Sequence, residues 1–490
     1  MNKSNAMVTR KEFFKLAAGA VALPLFNIGC AGFGQARARQ IAKGAKIRVA
    51  LIGCGFRMRE MILADTSEQV VAVVEPDAPR RRDFIARVKK TPNAANIEGV
   101  REYDDYHPLF EEMGDSIDAV VICTSNRHHA PAAIMAMNRG IHVFVEKPMA
   151  YTVREAQIMG RIAKKMGVVT QVGNFGHSTR AMKVCVEALQ AGVLGDVTEV
   201  WAYTDRVNAM GHRPKPVDPP KDMDWNSWCG PAELCGYYGP QKPKLFGLHP
   251  HDWHSWQKLG NGSIGNMGTH VMDAPFWALN LGAAHPTSIH CTHADIVAEG
   301  SWSIRTEMEY EFPEVGNRGP VKMHWTDGLR YGLDYEAANL SNYGYARAGR
   351  KDHNMPEIMH KLERDYHLEK APFATNGAFF KGTKGYAWYG QHSMVRFFPK
   401  SLGKDIRKFT GANAIDHMGE FFKAIREGRQ ANTEFEFSVP LGETVLLGNV
   451  GILAAGKKLL WDGTHITNDA ASDARLEATY RKGWELEGVV

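Results

Sequence analysis

From Lys46 to Asn174, short apolar runs alternate with amphipathic stretches, and that alternation leaves few folds open. Ile47 to Ile52 is the kind of run a fully buried strand needs. "VVAVVEPD", "DAVVICTSN", "IHVFVEKP" and "VVTQVGN" repeat it. Between them lie stretches with helical spacing. "APRRRDFIARVKK" puts Phe84, Ile85 and Val88 on one side, and Ala130 to Asn138 is a second helix. Glu155 to Met166 is a third, with Ile158, Met159, Ile162 and Met166 in one stripe. Buried strands alternating with helices predict an α/β fold with a parallel, doubly wound sheet. Such sheets bind ligands at the carboxyl ends of their strands. Here those ends collect Gly55, Glu75, Thr124, Asn126, Lys147 and Asn174.

Two of these ends carry a dinucleotide signature. Gly53-Cys54-Gly55 follows the first strand, and Arg57 to Ala64 continues as a helix. The first glycine permits the tight turn, and the second lets backbone approach a pyrophosphate at the helix N-terminus. Gly53, Gly55, Phe56 and Arg57 would face it, while Met58 replaces the usual third glycine. Glu75 ends the second strand at the spacing where an acid accepts from ribose hydroxyls. An acid there repels a 2′-phosphate, so NAD is favoured over NADP. In "VFVEKPMA", Pro148 closes a buried strand because it cannot donate to a ladder, which leaves Lys147 at the ligand-binding edge.

Gly53-Cys54-Gly55, Glu75-Pro76-Asp77, Thr124-Ser125-Asn126-Arg127-His128-His129 and above all Glu146-Lys147-Pro148 resemble one family. It is that of glucose–fructose oxidoreductase, inositol dehydrogenase and rhizopine catabolism, the Gfo/Idh/MocA oxidoreductases. The resemblance implies an NAD-binding Rossmann domain, with Thr124, Asn126, His129, Glu146 and Asn174 among the cofactor ligands. It also implies that Lys147 lies between nicotinamide and substrate.

After the helix Ala181 to Leu189, "GDVTEVWAYTD" opens a second region. Alternating segments such as "SIRTEMEYEF" and "VKMHWTD" read as antiparallel strands. The resemblance implies a substrate-binding and oligomerisation domain of α+β type with a large, open, mostly antiparallel sheet. It would close with helices in "AIDHMGEFFKAIREG" and "GETVLLGNVGILAAGKKLLWDG". In "GSIGNMGTHVMDAPFW", Asn266 stands where the family has aspartate, and His270 follows one helical turn later. His270 is the general-base candidate, since a neutral imidazole is poised near neutral pH. Asn266 can bind a substrate hydroxyl but cannot carry a proton, and Asp273 orients His270 or binds a hydroxyl. "GNFGHSTR" adds His177 as a second acid or base, with Asn174 and Arg180 toward substrate. "HPHDWHSW" offers Trp253 and Trp256 as flat faces for a sugar ring; its histidines lack the HExxH helix pattern, so no metal is expected.

The N-terminus has a different character. "TRKEFFKLAAGAVALPLFNIGC" has a basic start, a short apolar run and small residues, the anatomy of an export signal. Thr9 to Lys15 resembles a twin-arginine signal with Lys11 in place of the second arginine. Gly29-Cys30 also reads as a lipoprotein cleavage point, which would anchor Cys30 in a membrane. The expected organisation is a leader over residues 1–30, a linker over 31–45, the NAD-binding domain over 46–172 and the substrate domain over 173–490. Net charge of +5 with scattered basic residues makes no case for nucleic acid. Seven cysteines without a CxxC make no disulfide framework.

Three activities follow. The first is an exported or cell-envelope NAD-dependent oxidoreductase, a homo-oligomer, acting on a secondary hydroxyl of a sugar, glycoside or inositol with tightly held cofactor. The second is a redox glycoside hydrolase that oxidises, eliminates, adds water and reduces again. The third is a non-catalytic sugar- or NAD-binding protein, against which Lys147 and His270 argue.

Overall fold

Gly53 sets the geometry at the centre of the first sheet. Its φ of +92° is one that side-chain-bearing residues avoid, and an added Cβ would run into the Cys123 carbonyl oxygen. The chain therefore turns sharply from β1 (Arg48–Ile52) into α1 (Phe56–Ala64). There follow β2 (Gln69–Val74), α2 (Ala78–Val88), β3 (Arg101–Tyr103), α3 (Tyr106–Met113) and β4 (Ala119–Ile122). Then come α4 (His129–Asn138), β5 (His142–Val145), α5 (Val153–Met166) and β6 (Thr170–Val172). The computed structural model describes residues 38–64, 67–210, 215–239, 247–329, 353–368, 373–411 and 415–488. The export signal, Cys30 and the first part of the linker lie outside them.

The first sheet is parallel throughout, in the order β3-β2-β1-β4-β5-β6. This is the doubly wound dinucleotide-binding order, with its switch point between β1 and β4. Alternate residues of β1 feed two cores. Val49 and Leu51 pack with Phe84 and Phe144, while Ala50 and Ile52 face the cluster of α3, α4 and α5. Helix α5 begins with a reciprocal capping box between Thr152 and Glu155 and ends at Gly167 in the left-handed region. Ile158 and Met159 are buried in it, and Ile162 and Met166 pack partly buried against the same core.

The second sheet is mixed. Helix α6 (Arg180–Gln190) leads to β7 (Val197–Thr204), and a loop with the one-turn α7 (Trp225–Cys229) leads to α8 (Gly262–Leu279). Then follow β8 (Ser288–Ala294), β9 (Arg305–Phe312), β10 (Val321–Gly328), α9 (Glu357–Asp365), β11 (Asn376–Gly382), β12 (Gly385–Gly390) and β13 (Met394–Phe398). Helices α10 (His417–Glu427) and α11 (Phe435–Leu453) and strand β14 (Lys458–Leu460) come last. The order is β13-β12-β11-β7-β10-β9-β8-β14, and only β7 and β10 run parallel. The strands expected in "SIRTEMEYEF" and "VKMHWTD" pair as β9 and β10, with buried and half-exposed residues alternating along β9.

Two details differ from the sequence reading. Helix α11 starts at Phe435, ahead of the expected Gly442, and carries Pro440 inside its early turns. "KKLL" is not helical: the chain breaks at Gly456, with φ +87°, and Lys458–Leu460 pairs with β8 instead. Among the described residues no helix is long and apolar enough to cross a membrane.

Candidate active site

A cavity of about 1330 Å³ opens at the switch point of the parallel sheet. Single-ligand pockets run to roughly 300–1000 Å³, so this one has room for a dinucleotide and a second molecule. Its wall is built from strand ends: Gly53 and Gly55 after β1, Glu75 after β2, Thr124 after β4, and Glu146 and Lys147 after β5. The opposite wall comes from α8 and the loops of the second sheet.

The residues present fit a dinucleotide. A Cβ on Gly55 would meet nothing within 4 Å, so the turn leaves open space where backbone can approach a ligand. The first N–H groups of α1 point out of the helix start beside it, with no partner inside the helix. Ser125 lines the same wall with its buried hydroxyl unpartnered among the described residues. Phe56 sits on the rim, 68% exposed. Arg57 is tied to Glu146 at 2.8 Å and to Glu60 at 3.2 Å. Glu75 behaves differently from expectation. Its carboxylate accepts from the Cys54 N–H at 2.8 Å and the Asp77 N–H at 3.2 Å, so it first braces the glycine turn. Burial raises its pKa, against the pull of those donors and of Arg80, which shares the wall.

Lys147 meets α8. Its Nζ donates to Asn266 Oδ1 at 2.7 Å and to the Asn266 carbonyl at 3.2 Å. Asn266 Nδ2 donates in turn to Asn208 Oδ1 at 3.1 Å. Desolvation, with Arg57 and Arg206 nearby, lowers the lysine pKa to about 8 despite Glu146. Glu146 cannot move closer, since Oε1 holds Arg57 and Oε2 accepts the Lys147 N–H. His129 is a strut rather than a free ligand: Nδ1 lies 2.8 Å from the Pro148 carbonyl and Nε2 lies 3.2 Å from that of Thr124. It pins the turn that carries Lys147. Thr124 spends its own hydroxyl on the Ser125 carbonyl at 3.1 Å.

His270 lines the cavity, but its basicity is not what the sequence suggests. Burial pushes its pKa well below the usual imidazole value, helped by the positive fields of Lys147, His392, Arg57 and Arg206. Its Nδ1 is buried and unpartnered among the described residues. Burial thus favours its neutral form, a hydrogen-bonding group more than a proton store.

Asp273 does not orient His270. It is fully buried, with Oδ2 accepting from Asn174 Nδ2 at 2.8 Å and Oδ1 from His177 Nδ1 at 2.9 Å. His177 is stacked on Trp277 at 3.9 Å. Asn174, His177 and Asp273 thus form a buried cluster bonded to one another, where the sequence reading had them facing cofactor or substrate. Arg180 is exposed at the start of α6 and donates to the Thr410 carbonyl at 3.1 Å, away from the cavity. Asn126 is buried at the head of α4, off the cavity wall, its amide unpartnered among the described residues. Trp253 lines the wall, stacked on His254 at 3.6 Å. His249 goes to Asp77 and His251 to Asp252, so the three histidines of that segment do not converge. Among the described residues no cluster could hold a metal ion.

Sequence reasoning missed Arg206, His392 and Trp484. Arg206 follows the end of β7 and was findable as the first basic residue after a strand end. His392 comes from the β12–β13 turn, at φ +58°, and stacks on Phe175 at 4.4 Å. Trp484 returns from the far C-terminus to the wall beside Tyr106 and His128. No local pattern marks either.

Residues 47–174 match the Gfo/Idh/MocA profile, an oxidoreductase family with an NAD-binding Rossmann fold. Over those residues the chain is a Gfo/Idh/MocA oxidoreductase Rossmann domain. NAD is the cofactor of its Rossmann domain. It is 30% identical over 166 residues to the uncharacterised oxidoreductase YfiI of Bacillus subtilis, covering 31% of this chain and 40% of that one. It is 26% identical over 154 residues to scyllo-inositol 2-dehydrogenase (NAD(+)) of the same organism, covering 31% and 42%. The chain thus spans about two fifths of the length of these curated relatives. In fold it is similar to levoglucosan dehydrogenase solved with NADH and levoglucosan, at TM-score 0.52 and 16% identity, covering 84% of this chain and 99% of that one.

Proposed function

We propose that this protein is an NAD-dependent oxidoreductase acting on a secondary hydroxyl of a carbohydrate or polyol. The observation that carries the reading is Lys147. It stands at the end of β5, at the edge where this fold binds NAD, with its amine tuned to about 8 and aimed by Asn266. When bound, NAD supplies the hydride acceptor. Gly53, Gly55 and the start of α1 would hold the pyrophosphate, and Glu75 the adenosine ribose through its remaining lone pairs.

Proton handling falls to Lys147. A catalytic base works best with a pKa near the operating pH. Lys147 meets that condition, whereas His270 is too weak a base and Asn266 cannot ionise. Lys147 takes the hydroxyl proton, and its ammonium then stabilises the developing carbonyl oxygen. His270 positions the hydroxyl by hydrogen bonding. The relatives' names support carbohydrate or polyol as the substrate class: one is an inositol dehydrogenase and a fold neighbour was solved with levoglucosan.

A second reading rests on the leader-like N-terminus. NAD is not supplied as a free pool outside the cytoplasm, so an exported enzyme of this fold would keep its NAD and close its hydride cycle. A redox glycosidase does so by returning the hydride to the same sugar. The experiment that separates the two incubates purified protein with panels of polyols and glycosides, following nicotinamide reduction and sugar release together. Reduction without cleavage supports the oxidoreductase, cleavage without net reduction the glycosidase. Neither, with NAD bound, would leave a binding protein.

A further inference from the structure

The cavity holds a cation that the proposed reaction does not use. Arg206 lines the wall and is exposed there, and among the described residues its guanidinium has no ion-pair or hydrogen-bond partner. Its main chain is fixed nonetheless. The Arg206 N–H donates to Thr204 Oγ1 at 3.2 Å, and its carbonyl accepts from Ser263 Oγ at 3.1 Å. Ser263 is in the first turn of α8, and the next two turns present Asn266 and His270. Arg206 is thus anchored to the start of the helix that carries Lys147's partner Asn266, and both Lys147 and His270 feel its charge.

Among the described residues no acid of the cavity wall is paired with it. The cavity acids are Glu60, Glu75, Asp104, Asp105 and Glu146. Glu60 and Glu146 are taken by Arg57, Asp104 by Arg81, Asp105 by His107 and Glu75 by backbone N–H groups. The uncharged polar residues of the wall include Asn266, Gln391, His251, His254, His270 and His392. The carboxylates of the wall, which as acceptors commonly hold the hydroxyls of a neutral sugar, are taken by the contacts above. Arg206 is therefore a cation on the cavity wall with no side-chain partner among the described residues.

We infer that the substrate is a sugar acid, whose carboxylate pairs with Arg206 while its secondary hydroxyl meets Lys147. The planar guanidinium can take a carboxylate through two parallel hydrogen bonds, which a lysine cannot reproduce. The inference rests on reading this cavity as the substrate site of a sugar oxidoreductase, and it narrows that reading to uronates and aldonates.

The test is calorimetric binding to the full chain loaded with NAD. The probes are methyl glycosides of glucuronate, galacturonate and mannuronate, each beside its neutral hexoside and the hexose 6-phosphate. At least one uronate should bind about 30-fold or more tighter than its neutral partner, a difference of about 2 kcal/mol. Arg206→Gln should erase that preference and leave NAD content unchanged, and Arg206→Lys should restore only part of it. Three outcomes would overturn the assignment: every neutral hexoside binding as tightly as its uronate, a 6-phosphate outbinding every uronate, or Arg206→Gln stripping NAD while the uronate preference survives. Because binding is read apart from turnover, tight Arg206-dependent binding with no nicotinamide reduction sinks the oxidoreductase reading and leaves the sugar-acid assignment standing.

Discussion

Lys147 and Glu75 place the chemistry at single side chains, and each makes a prediction. With its pKa lowered to about 8, Lys147 is neutral above that pH and available as a base. Oxidation kcat/KM should therefore rise as pH passes through about 8 and level off above it. Lys147→Arg, charged at every accessible pH, should lose about a thousandfold or more of that rate while retaining NAD. A rate that falls above pH 8 would mean the ammonium is the active form. His270 should contribute no inflection near its ordinary imidazole pKa, because it stays neutral. Glu75→Ala should weaken NAD about tenfold and narrow its lead over NADP, since the acid that repels a 2′-phosphate would be gone while Arg80 stays on the same wall. Equilibrium binding of the two cofactors measures this directly. Lys147 was legible because Glu146 and Lys147 end a proline-closed buried strand, which leaves them at the ligand-binding edge of the sheet. The role of Asp273 was not. Asn266, His270 and Asp273 share one stripe of α8, but Asp273 lies about 10 Å further along the axis than Asn266. There the stripe has run past the cavity and beneath Asn174 and His177. Spacing reports the face of a helix and not where a cavity ends.

At the scale of elements, the strands with buried runs were readable and the edges were not. Strands β1, β2, β4 and β5 sit deep in the sheet and consist of apolar residues. Strand β3 is three residues at the sheet edge, two of them exposed, so no hydrophobic pattern announces it. The β1–α1 turn was legible through its glycines. Gly53→Ala should cost about 2 kcal/mol or more, from the left-handed φ and the collision with the Cys123 carbonyl, read as a lowered urea midpoint with NAD lost. The C-terminal segment is the least legible element, since its partners are distant in sequence. Arg127 donates to the Thr479 carbonyl at 2.5 Å, Arg481 donates to the Gly230 carbonyl at 2.9 Å, and Trp484 packs edge-on against Tyr106, His107 and His128. Trp484→Ala opens the wall at that end. NAD dissociation, followed by dilution of loaded protein, should accelerate about tenfold, and an unchanged rate would show that this wall does not retain the cofactor.

At the scale of the molecule, two sheets divide the work. The parallel sheet supplies Lys147 and the glycine turn from its carboxyl edge. The mixed sheet supplies Arg206 after β7 and His392 after β12, and α8 brings Asn266 and His270 between them. The doubly wound half could be derived from alternation alone. The mixed half depended on pairings between distant segments, such as β7 with β10 and β11, that local pattern does not reveal. The central claim is that NAD bound in this cavity would take hydride from the carbinol carbon of a substrate whose hydroxyl proton passes to Lys147. Rapid mixing of NAD-loaded protein with substrate, following nicotinamide absorbance over a single turnover, tests it most directly. Wild-type protein should form one equivalent of reduced cofactor per site. Lys147→Met should bind NAD normally and form almost none on the same timescale. A Lys147→Met protein that reduces its NAD at the wild-type rate would contradict the account.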